Sequence, residues 1–397
     1  MATSRLHIPG ISAKALAARR SAIREIFDAA NRQPDAIRLE IGEPSFVTPT
    51  FIIEAALEAA RDGWTGYTPN GGYVSLREEI ARKLERVNGF PNADPGSIVV
   101  TPGAMNALFS IYLAVLEPGD EVLLPTPGFP NMDEMVRLLG GQPVFYRLER
   151  ANGYLPQPDE IERLVTPRTK AMFVNTPGNP TGAVFPESTV RALCELAAER
   201  QVWMIADEVY DELLLDDDLT HVSAAPLIED APVISVYSFS KVYAMTGWRV
   251  GYCVAPPSLA DTLRKLQEPE VSCPSAISQK AAEAALRGPR DEIEAMRLAY
   301  RERRDRAVSV AAEVGLDVFR TQGTFYMLVD VSRSRMTPRD FTLHLLEHHD
   351  VAVAPGEVFG PGGDGLVRIS LAREPDEIAE GLRRIARAID ECRGARE

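Results

Sequence analysis

Three segments in the middle of the chain contain residue types that could do chemistry together. They are residues 175–182 (NTPGNPTG), 206–210 (ADEVY) and 238–251 (SFSKVYAMTGWRVG). Taken alone, each has an ordinary explanation: a Pro/Gly turn, the end of a strand, and a loop with an exposed lysine. Only their order and spacing, taken together, favour one shared site over three unrelated features.

Lys241, in the third segment, has the widest chemical range of these side chains. A primary amine can act first as a nucleophile and then as a general base. Desolvation and nearby cations lower the pKa of a lysine and favour the neutral amine that both tasks require. A lone lysine in a loop is nevertheless a solvated surface group far more often than a catalyst, so its neighbours must decide its role.

The three segments resemble the fold type I aminotransferases, the class I/II family of pyridoxal-phosphate enzymes. The resemblance rests on Ser-x-Ser-Lys followed eight residues later by Arg249, with NPTG and DEVY upstream, and it extends from IGEP at residues 41–44 to RIS at residues 368–370. It implies an α/β fold type I transferase with two domains. The large domain, residues 46–275, is expected to contain a mostly parallel seven-stranded sheet between helices. Residues 1–45 and 276–397 are expected to form a smaller α+β domain.

The hydrophobic pattern along the chain favours the same kind of fold. Amphipathic helix patterns alternate with short β-branched runs, which predicts right-handed crossovers and a mostly parallel sheet buried on both faces. The helix patterns cover residues 14–31, 75–87, 104–116, 131–139 and 187–200, and the strand-like runs cover residues 97–101, 121–125, 170–175, 202–206 and 233–237. After about residue 272, helix patterns at 275–286 and 291–314 precede strand-like runs near Val318, Met327 and Val367, and a charged helix pattern follows at 374–393.

The resemblance implies how residues surround pyridoxal 5'-phosphate, which acts as an electron sink for a carbanion at the substrate Cα. Lys241 is expected to hold the cofactor as a Schiff base and to shuttle the Cα proton. Asp207 is expected to pair with the pyridine nitrogen and keep it protonated. Asn179 and Tyr210 are expected to donate hydrogen bonds to the phenolic oxygen, and Phe129 to stack on the ring. The expected catalytic residues are therefore Lys241, Asp207 and Tyr210.

The cofactor phosphate is expected at the start of a predicted helix, where free backbone N–H groups and the helix dipole suit an anion. The residues at this helix start are Gly103, Ala104 and Met105. Three side chains of the lysine segment are expected to add hydrogen-bond donors: Ser238, Ser240 and Arg249. Tyr67, in Gly-Tyr-Thr-Pro, matches a family residue that reaches the phosphate of the neighbouring subunit, so the resemblance also implies a homodimer.

The substrate α-carboxylate is expected to bind Arg368 through two parallel hydrogen bonds. The backbone N–H of Gly42 and the side chain of Asn179 are expected to assist. Arg368 stands in an otherwise apolar run, Leu-Val-Arg-Ile-Ser-Leu, where an arginine calls for a dedicated anionic partner. The expected small-molecule partners are an amino acid and a 2-oxo acid.

Four residues depart from the family pattern and bear on the choice of substrate. Met105 stands where relatives often carry Ser, Thr or, in some aspartate-type members, Lys, and it offers no charge to a second carboxylate. Glu268 and Glu270 bring two acids to a stretch near the subunit boundary, and Glu357 stands where a small residue is common. Together these departures favour a neutral or basic L-amino acid over aspartate as the amino donor.

Other functions share the same cofactor residues. The carbanion can also lead to β-elimination in a C–S lyase or to the reaction of an amino-acid oxidase, and the motifs do not separate these outcomes from transamination. A non-catalytic effector-binding domain of a transcription regulator is the least favoured alternative. It requires a fused DNA-binding domain, for which we expect no room before Ile41.

Composition and charge limit the possible partners. A net charge of −14 without a basic cluster argues against nucleic acid. The longest nearly uncharged stretch, residues 105–116, is too short to span a bilayer. Four scattered cysteines fit a reducing compartment, so we expect a cytoplasmic protein.

GxGxxG at 360–365 lacks a following helix and HxxEH at 344–348 lacks a third ligand, so neither a dinucleotide site nor a metal site is expected.

Overall fold

The computed structural model describes residues 10–19 and 22–394. Its strands are β1 (Ile37–Arg38), β2 (Ile98–Thr101), β3 (Glu121–Thr126), β4 (Gln142–Arg147), β5 (Thr169–Asn175), β6 (Trp203–Asp207), β7 (Val233–Ser238), β8 (Gly251–Val254), β9 (Tyr326–Asp330), β10 (Val351–Ala352), β11 (Ala354–Pro355) and β12 (Leu366–Ser370). Its α-helices are α1 (Ala13–Ala17), α2 (Ala22–Ala30), α3 (Thr50–Arg61), α4 (Val74–Val87), α5 (Ala104–Val115), α6 (Asn131–Leu138), α7 (Pro158–Leu164), α8 (Glu187–Arg200), α9 (Phe239–Val242), α10 (Pro257–Val271), α11 (Ala276–Arg287), α12 (Asp291–Glu313), α13 (Pro338–His349) and α14 (Pro375–Gly394). Within the described ranges, none of these helices combines the length and the apolar character that crossing a membrane requires.

Seven strands form one sheet in the order β2-β8-β7-β6-β5-β3-β4. Only β8 runs antiparallel to its neighbours in this sheet, and the remaining pairings are parallel. Connections that contain a helix join β3 to β4 and β5 to β6, whereas the equally long-range step from β6 to β7 is made by residues 208–232 without a helix. The predicted α/β fold with a mostly parallel seven-stranded sheet is confirmed.

Helices cover both faces of this sheet because its strands are apolar on both sides. In β6, Ile205 packs in one cluster with Leu108 of α5, whereas Met204 and Ala206 pack in another cluster with Leu193 of α8. Successive strand residues point to opposite faces, so a continuous apolar run serves both clusters. Each fully buried large apolar side chain stabilises the fold by about 1.5–3 kcal/mol.

A second, smaller sheet is formed late in the chain. Its antiparallel order is β11-β12-β9, and α12 and α14 pack against each other nearby. The N-terminal part of the chain joins this region, because β1 pairs in parallel with β10 and matches Ile37 with Val351. The pairing of β1 with β10 brings the residues that follow β1 close to the large sheet.

Two expectations from the sequence pattern were wrong. The helix pattern at residues 14–31 forms two helices, α1 and α2, since Ala18 is extended and α1 buries none of its side chains against the core. The run near Val318 makes a single β-bridge, with Val329, instead of a strand. Two backbone hydrogen bonds, from Asp330 to Asp317 and from Phe319 to Leu328, hold this bridge, and Arg320 beyond it forms an ion pair with Asp216.

Candidate active site

The carboxyl ends of the parallel strands meet at one edge of the large sheet, where binding sites of α/β proteins form. There β5 ends at Asn175, β6 at Asp207 and β7 at Ser238, and the register places Asn175 beside Asp207. A cavity of about 400 Å³ lies at this edge. Most residues expected at the site line it: Gly42, Ala104, Met105, Phe129, Asn179, Asp207, Tyr210, Ser238, Ser240, Lys241, Arg249 and Arg368.

Two expected residues do not line the cavity. Gly103 lies beside it as the residue that precedes α5. Tyr67 lies on the surface, where it is 91% exposed. Its expected contact with the site of a neighbouring subunit stays a prediction.

Lys241 lies in α9, the short helix that follows β7. Its Nζ donates a hydrogen bond to the carbonyl oxygen of Gly42 at 2.7 Å and lies 5.7 Å from the centre of the Phe325 ring. Within the described ranges, no carboxylate forms an ion pair with this amine. The lysine is therefore held at the cavity by a neutral oxygen and keeps its other hydrogen-bonding capacity for a ligand.

Asp207, the last residue of β6, is a buried carboxylate with few partners. Its Oδ1 accepts one long hydrogen bond, from the N–H of Val209 at 3.4 Å. Burial raises the pKa of Asp207 to about 7; the neighbouring charge of Glu208 adds to this effect, whereas the Val209 hydrogen bond and Lys241 oppose it. A buried carboxylate in this position fits a ligand that brings a cationic N–H.

The start of α5 and the guanidinium of Arg249 form an anion-binding corner. Gly103 precedes the helix with φ +83°, and no side chain caps the free N–H groups of the first turn. A Cβ on Gly103 would lie 2.4 Å from Nη2 of Arg249, so only glycine permits this close approach. The guanidinium donates to two backbone carbonyl oxygens, of Thr246 at 2.9 Å and of Pro102 at 3.4 Å. Its positive charge meets no carboxylate within the described part of the chain, which suits a phosphate.

Arg368 lies on β12, is buried, and lines the same cavity as Lys241. Its Nη1 donates to Oδ1 of Asn179 at 3.1 Å and its Nη2 to the carbonyl oxygen of Glu40 at 2.8 Å, while its buried Nε has no partner in the described structure. Burial lowers the pKa of Arg368 from its usual value. The guanidinium lies 4.2 Å from the centre of the Tyr326 ring. A buried arginine with neutral partners fits a substrate carboxylate.

Sequence reasoning missed Tyr326 and Asn175, which also line the cavity. The hydroxyl of Tyr326 lies 3.2 Å from the hydroxyl of Tyr210. A Cβ on Gly42 would lie 2.3 Å from the Tyr326 hydroxyl. Asn175 accepts from the N–H of Asn179 at 2.7 Å and donates to the carbonyl oxygen of Asp207 at 3.0 Å. Asn175 opens the NTPGNPTG segment, which could have drawn attention to it. Tyr326 stands in an apolar strand run that carries no such signal.

The acids noted as departures from the family pattern lie outside this cavity. Glu270, on α10, accepts hydrogen bonds from Ser110 at 2.6 Å and from Asn106 at 3.1 Å. Glu357 lines an adjacent, mainly apolar cavity of about 510 Å³, which shares Met105 and Phe129 with the first. Met105 is thus the departure that touches the candidate site directly.

Comparisons with known proteins agree with this fold and site. The sequence matches the family described as Aminotransferase class I and II over residues 34–385. A probable aspartate/prephenate aminotransferase of Aquifex aeolicus is 40% identical over 365 residues, which cover 90% of this chain and 92% of that protein. A probable N-acetyl-LL-diaminopimelate aminotransferase of Bacillus subtilis is 35% identical over 365 residues, covering 92% of both chains. The structure of aspartate aminotransferase from Thermus thermophilus with maleate has a TM-score of 0.91 and 36% identity, covering 96% of this chain and 100% of that chain.

The residues around the cavity fit the cofactor of this family. Pyridoxal 5'-phosphate carries a protonatable ring nitrogen, a phosphate and an aldehyde. The cavity presents the buried carboxylate of Asp207, the anion-binding corner at Arg249 and the amine of Lys241. The family match spans most of the sequence, and the fold agrees with that of solved members. The chain therefore belongs to the class I and II aminotransferases, which are enzymes that use pyridoxal 5'-phosphate.

Proposed function

We propose that this aminotransferase transfers the amino group of an L-amino acid with a neutral or basic side chain, in preference to aspartate, to a 2-oxo acid through a Schiff base on Lys241. The charge pattern of the cavity carries this proposal. The cations among its described lining residues are Lys241, Arg249 and Arg368. The cofactor uses Lys241 and Arg249, and the substrate α-carboxylate uses Arg368. No cation among these lining residues is left for a second substrate carboxylate.

When bound, pyridoxal 5'-phosphate supplies an electron sink for the carbanion at the substrate Cα. Lys241 holds the cofactor and later moves the proton at that carbon, since it brings the one primary amine among the described lining residues. The carbonyl of Gly42 orients this amine. Asp207 would hold the pyridine nitrogen in its protonated form, and Asn179 and Tyr210 would donate hydrogen bonds to the phenolic oxygen.

The start of α5 would hold the cofactor phosphate. Backbone N–H groups from Gly103 to Met105 and the helix dipole favour the anion there, and Arg249 adds two parallel donors. The hydroxyls of Ser238 and Ser240, which line the same cavity, would add donors to the phosphate, and Phe129 would stack on the ring.

The substrate α-carboxylate binds Arg368. The donors of this guanidinium now reach only neutral oxygens, and its Nε has no partner among the described residues. A carboxylate supplies the negative charge that the buried arginine lacks, and the N–H of Gly42 adds a further donor. This contact fixes the Cα beside the Lys241 amine, which is the orientation that proton transfer requires.

The donor side chain meets mainly apolar surface. Met105 and Phe129 line both this cavity and the adjacent 510 Å³ cavity, and Glu43 is, besides Asp207, the other carboxylate among the described lining residues of the first. A neutral side chain is accommodated there, and a basic one finds Glu43, whereas an acidic one faces repulsion. Because the names of several relatives refer to aspartate, aspartate is the reference donor in the test.

The test mixes the holoenzyme with single amino acids in the absence of any oxo acid. Conversion of the cofactor to its pyridoxamine form with release of the matching 2-oxo acid is the expected result. The kcat/KM for alanine, phenylalanine and lysine is then compared with that for aspartate. A value for aspartate well above all three contradicts the proposed donor preference. Ammonia with pyruvate indicates a lyase instead, and hydrogen peroxide an oxidase.

We also propose a homodimer in which Tyr67 reaches the phosphate of the partner's site. Its 91% exposure within one chain leaves its ring and hydroxyl accessible for this contact. Tyr67→Ala and Lys241→Ala variants should each have low activity. A mixed dimer of the two should contain one intact site of its two, because one site combines the Lys241 of one subunit with the Tyr67 of the other. Mixed dimers without regained activity, or a monomer in sedimentation, contradict the proposal.

A further inference from the structure

The last residue of β6 and the four residues after it face two different environments. In this stretch, residues 207–211, which we call the cofactor turn, Asp207 and Tyr210 line the cavity. Glu208 and Asp211 do not line it, yet they are 1% and 5% exposed. Two buried acids thus lie directly beside the two cofactor-facing residues, and neither has a role in the proposed chemistry.

The carboxylate of Glu208 forms hydrogen bonds with groups from other segments of the chain. Its Oε2 lies 2.9 Å from Nε2 of His221, and its Oε1 accepts from the hydroxyl of Ser235 at 2.7 Å and from the N–H of Ala224 at 3.1 Å. His221 is itself buried, and its Nδ1 has no partner within the described ranges. Burial opposes ionisation of Glu208, but these partners outweigh it and lower the pKa of Glu208.

Asp211 is bound by Lys83, which projects from α4. The two groups form a hydrogen-bonded ion pair, and both are buried. Asn88 closes the arrangement, since its Nδ2 donates to Asp211 at 3.1 Å and its Oδ1 accepts from Lys83 at 2.7 Å. The same Nδ2 lies 2.9 Å from the hydroxyl of Ser223, so the network continues along the back of the turn toward His221.

We propose that Lys83 and His221 are positioning residues that hold the cofactor turn from behind, so that Asp207 and Tyr210 keep the place and orientation that the cofactor ring requires. The inference rests on the proposed function, in which these two residues contact the ring. Neither Lys83 nor His221 lines the cavity, so their effect is transmitted through Asp211 and Glu208.

A purely stabilising role explains these pairs poorly. Burying two charges costs so much desolvation that replacing a buried ion pair by apolar residues is often neutral or stabilising. What such a pair does provide is a defined geometry, because each partner has one place where its charge is compensated. The two pairs fix Glu208 and Asp211, which belong to the one turn that carries two cofactor contacts.

The first test uses Lys83→Met and the double variant Lys83→Met/Asp211→Leu. Lys83→Met leaves the buried carboxylate of Asp211 without its cationic partner and should lower the melting temperature of the apoenzyme. The double variant removes both charges and should restore that melting temperature. If the pair positions the turn, both variants should bind pyridoxal 5'-phosphate at least about tenfold more weakly than the parent in titrations of the apoenzyme. Both should also shift the pH at which the visible absorbance of the bound cofactor changes.

Arg304→Met provides a matched control. Arg304 is fully buried and pairs with Asp216, outside the cavity lining. Its loss should lower the melting temperature without changing the cofactor titration. A double variant Lys83→Met/Asp211→Leu with the parent's cofactor affinity and absorbance profile overturns the role of Lys83.

Variants of His221 provide an independent test. His221→Leu removes the hydrogen bond to Glu208 and should weaken cofactor binding by about tenfold, whereas His221→Gln keeps a donor and should restore most of the affinity. Equal affinities in His221→Leu and the parent overturn the role of His221. Failure of the parent holoenzyme to release any 2-oxo acid would refute the proposed function instead, so the two failures are distinguishable.

Discussion

At the scale of single residues, the site combines two buried charges, those of Asp207 and Arg368, with the exposed guanidinium of Arg249, and no ion pair within the described chain neutralises them. Asp207 receives one long hydrogen bond, and Arg368 and Arg249 donate to neutral oxygens. Uncompensated buried charges destabilise a fold, so their presence around one cavity indicates a ligand of matching charges. Ring nitrogen, phosphate and substrate carboxylate are such charges.

The carboxylate of Asp207 predicts a pH dependence of the apoenzyme. Its pKa is raised from 3.8 to about 7 by burial, so the folded state binds the proton more tightly than the unfolded state. The contribution of this group to stability is therefore present below pH 4 and is lost as the pH rises to about 7. The Asp207→Asn apoenzyme, which cannot ionise there, should be more stable than the parent at pH 8 by at most about 4 kcal/mol. Denaturation at several pH values measures this difference, and a difference that does not grow between pH 4 and pH 7 contradicts the assignment.

Arg368 predicts a defect confined to substrate binding. Arg368→Lys keeps a positive charge but loses the two parallel hydrogen bonds to a carboxylate. We expect kcat/KM for amino acids to fall by about 100-fold, corresponding to roughly 3 kcal/mol of lost binding in the transition state. The affinity for pyridoxal 5'-phosphate should stay within about twofold of the parent. Weakened cofactor binding with an unchanged KM would assign this arginine to the cofactor instead.

At the scale of elements, the sequence predicted best what depends on local pattern. The strand–Gly–helix order at residues 97–116 indicated the free helix start that Gly103 now shows, and the apolar runs indicated β5, β6 and β7. The pattern at residues 14–31 was misleading, since periodicity alone does not reveal that α1 buries no side chain. Tyr326 escaped notice because its place at the cavity depends on the pairing of β9 with β12, which is a long-range contact.

The start of α5 predicts a specific effect of Gly103→Ala. An alanine at φ +83° is strained, and its Cβ would displace the guanidinium of Arg249. Gly119→Ala is a matched control, because φ is +93° there and no atom lies within 4 Å of the added Cβ. Both variants should lose about 1–2 kcal/mol of stability to backbone strain, but only Gly103→Ala should bind pyridoxal 5'-phosphate more weakly. Similar cofactor affinities in the two variants contradict a phosphate site at α5.

At the scale of the whole molecule, the site depends on residues that are far apart in sequence. The carbonyls of Gly42 and Glu40 accept from Lys241 and Arg368, and they reach the cavity because β1 pairs with β10. Local patterns cannot reveal such pairings; the resemblance to a known family pointed to Gly42 and Arg368, but not to Glu40 or to the pairing of β1 with β10. The division into residues 46–275 and residues 1–45 with 276–397 stays a prediction, as does the cytoplasmic location.

The attachment of the cofactor to Lys241 is the central claim, and one measurement tests it most directly. The holoenzyme is reduced with borohydride, digested, and examined by mass spectrometry for the peptide that carries the reduced cofactor. The account predicts the added mass on Lys241 in the parent enzyme and its absence from a Lys241→Ala variant treated in the same way. Cofactor fixed to a different lysine of the parent, or retained covalently by the variant, would contradict it.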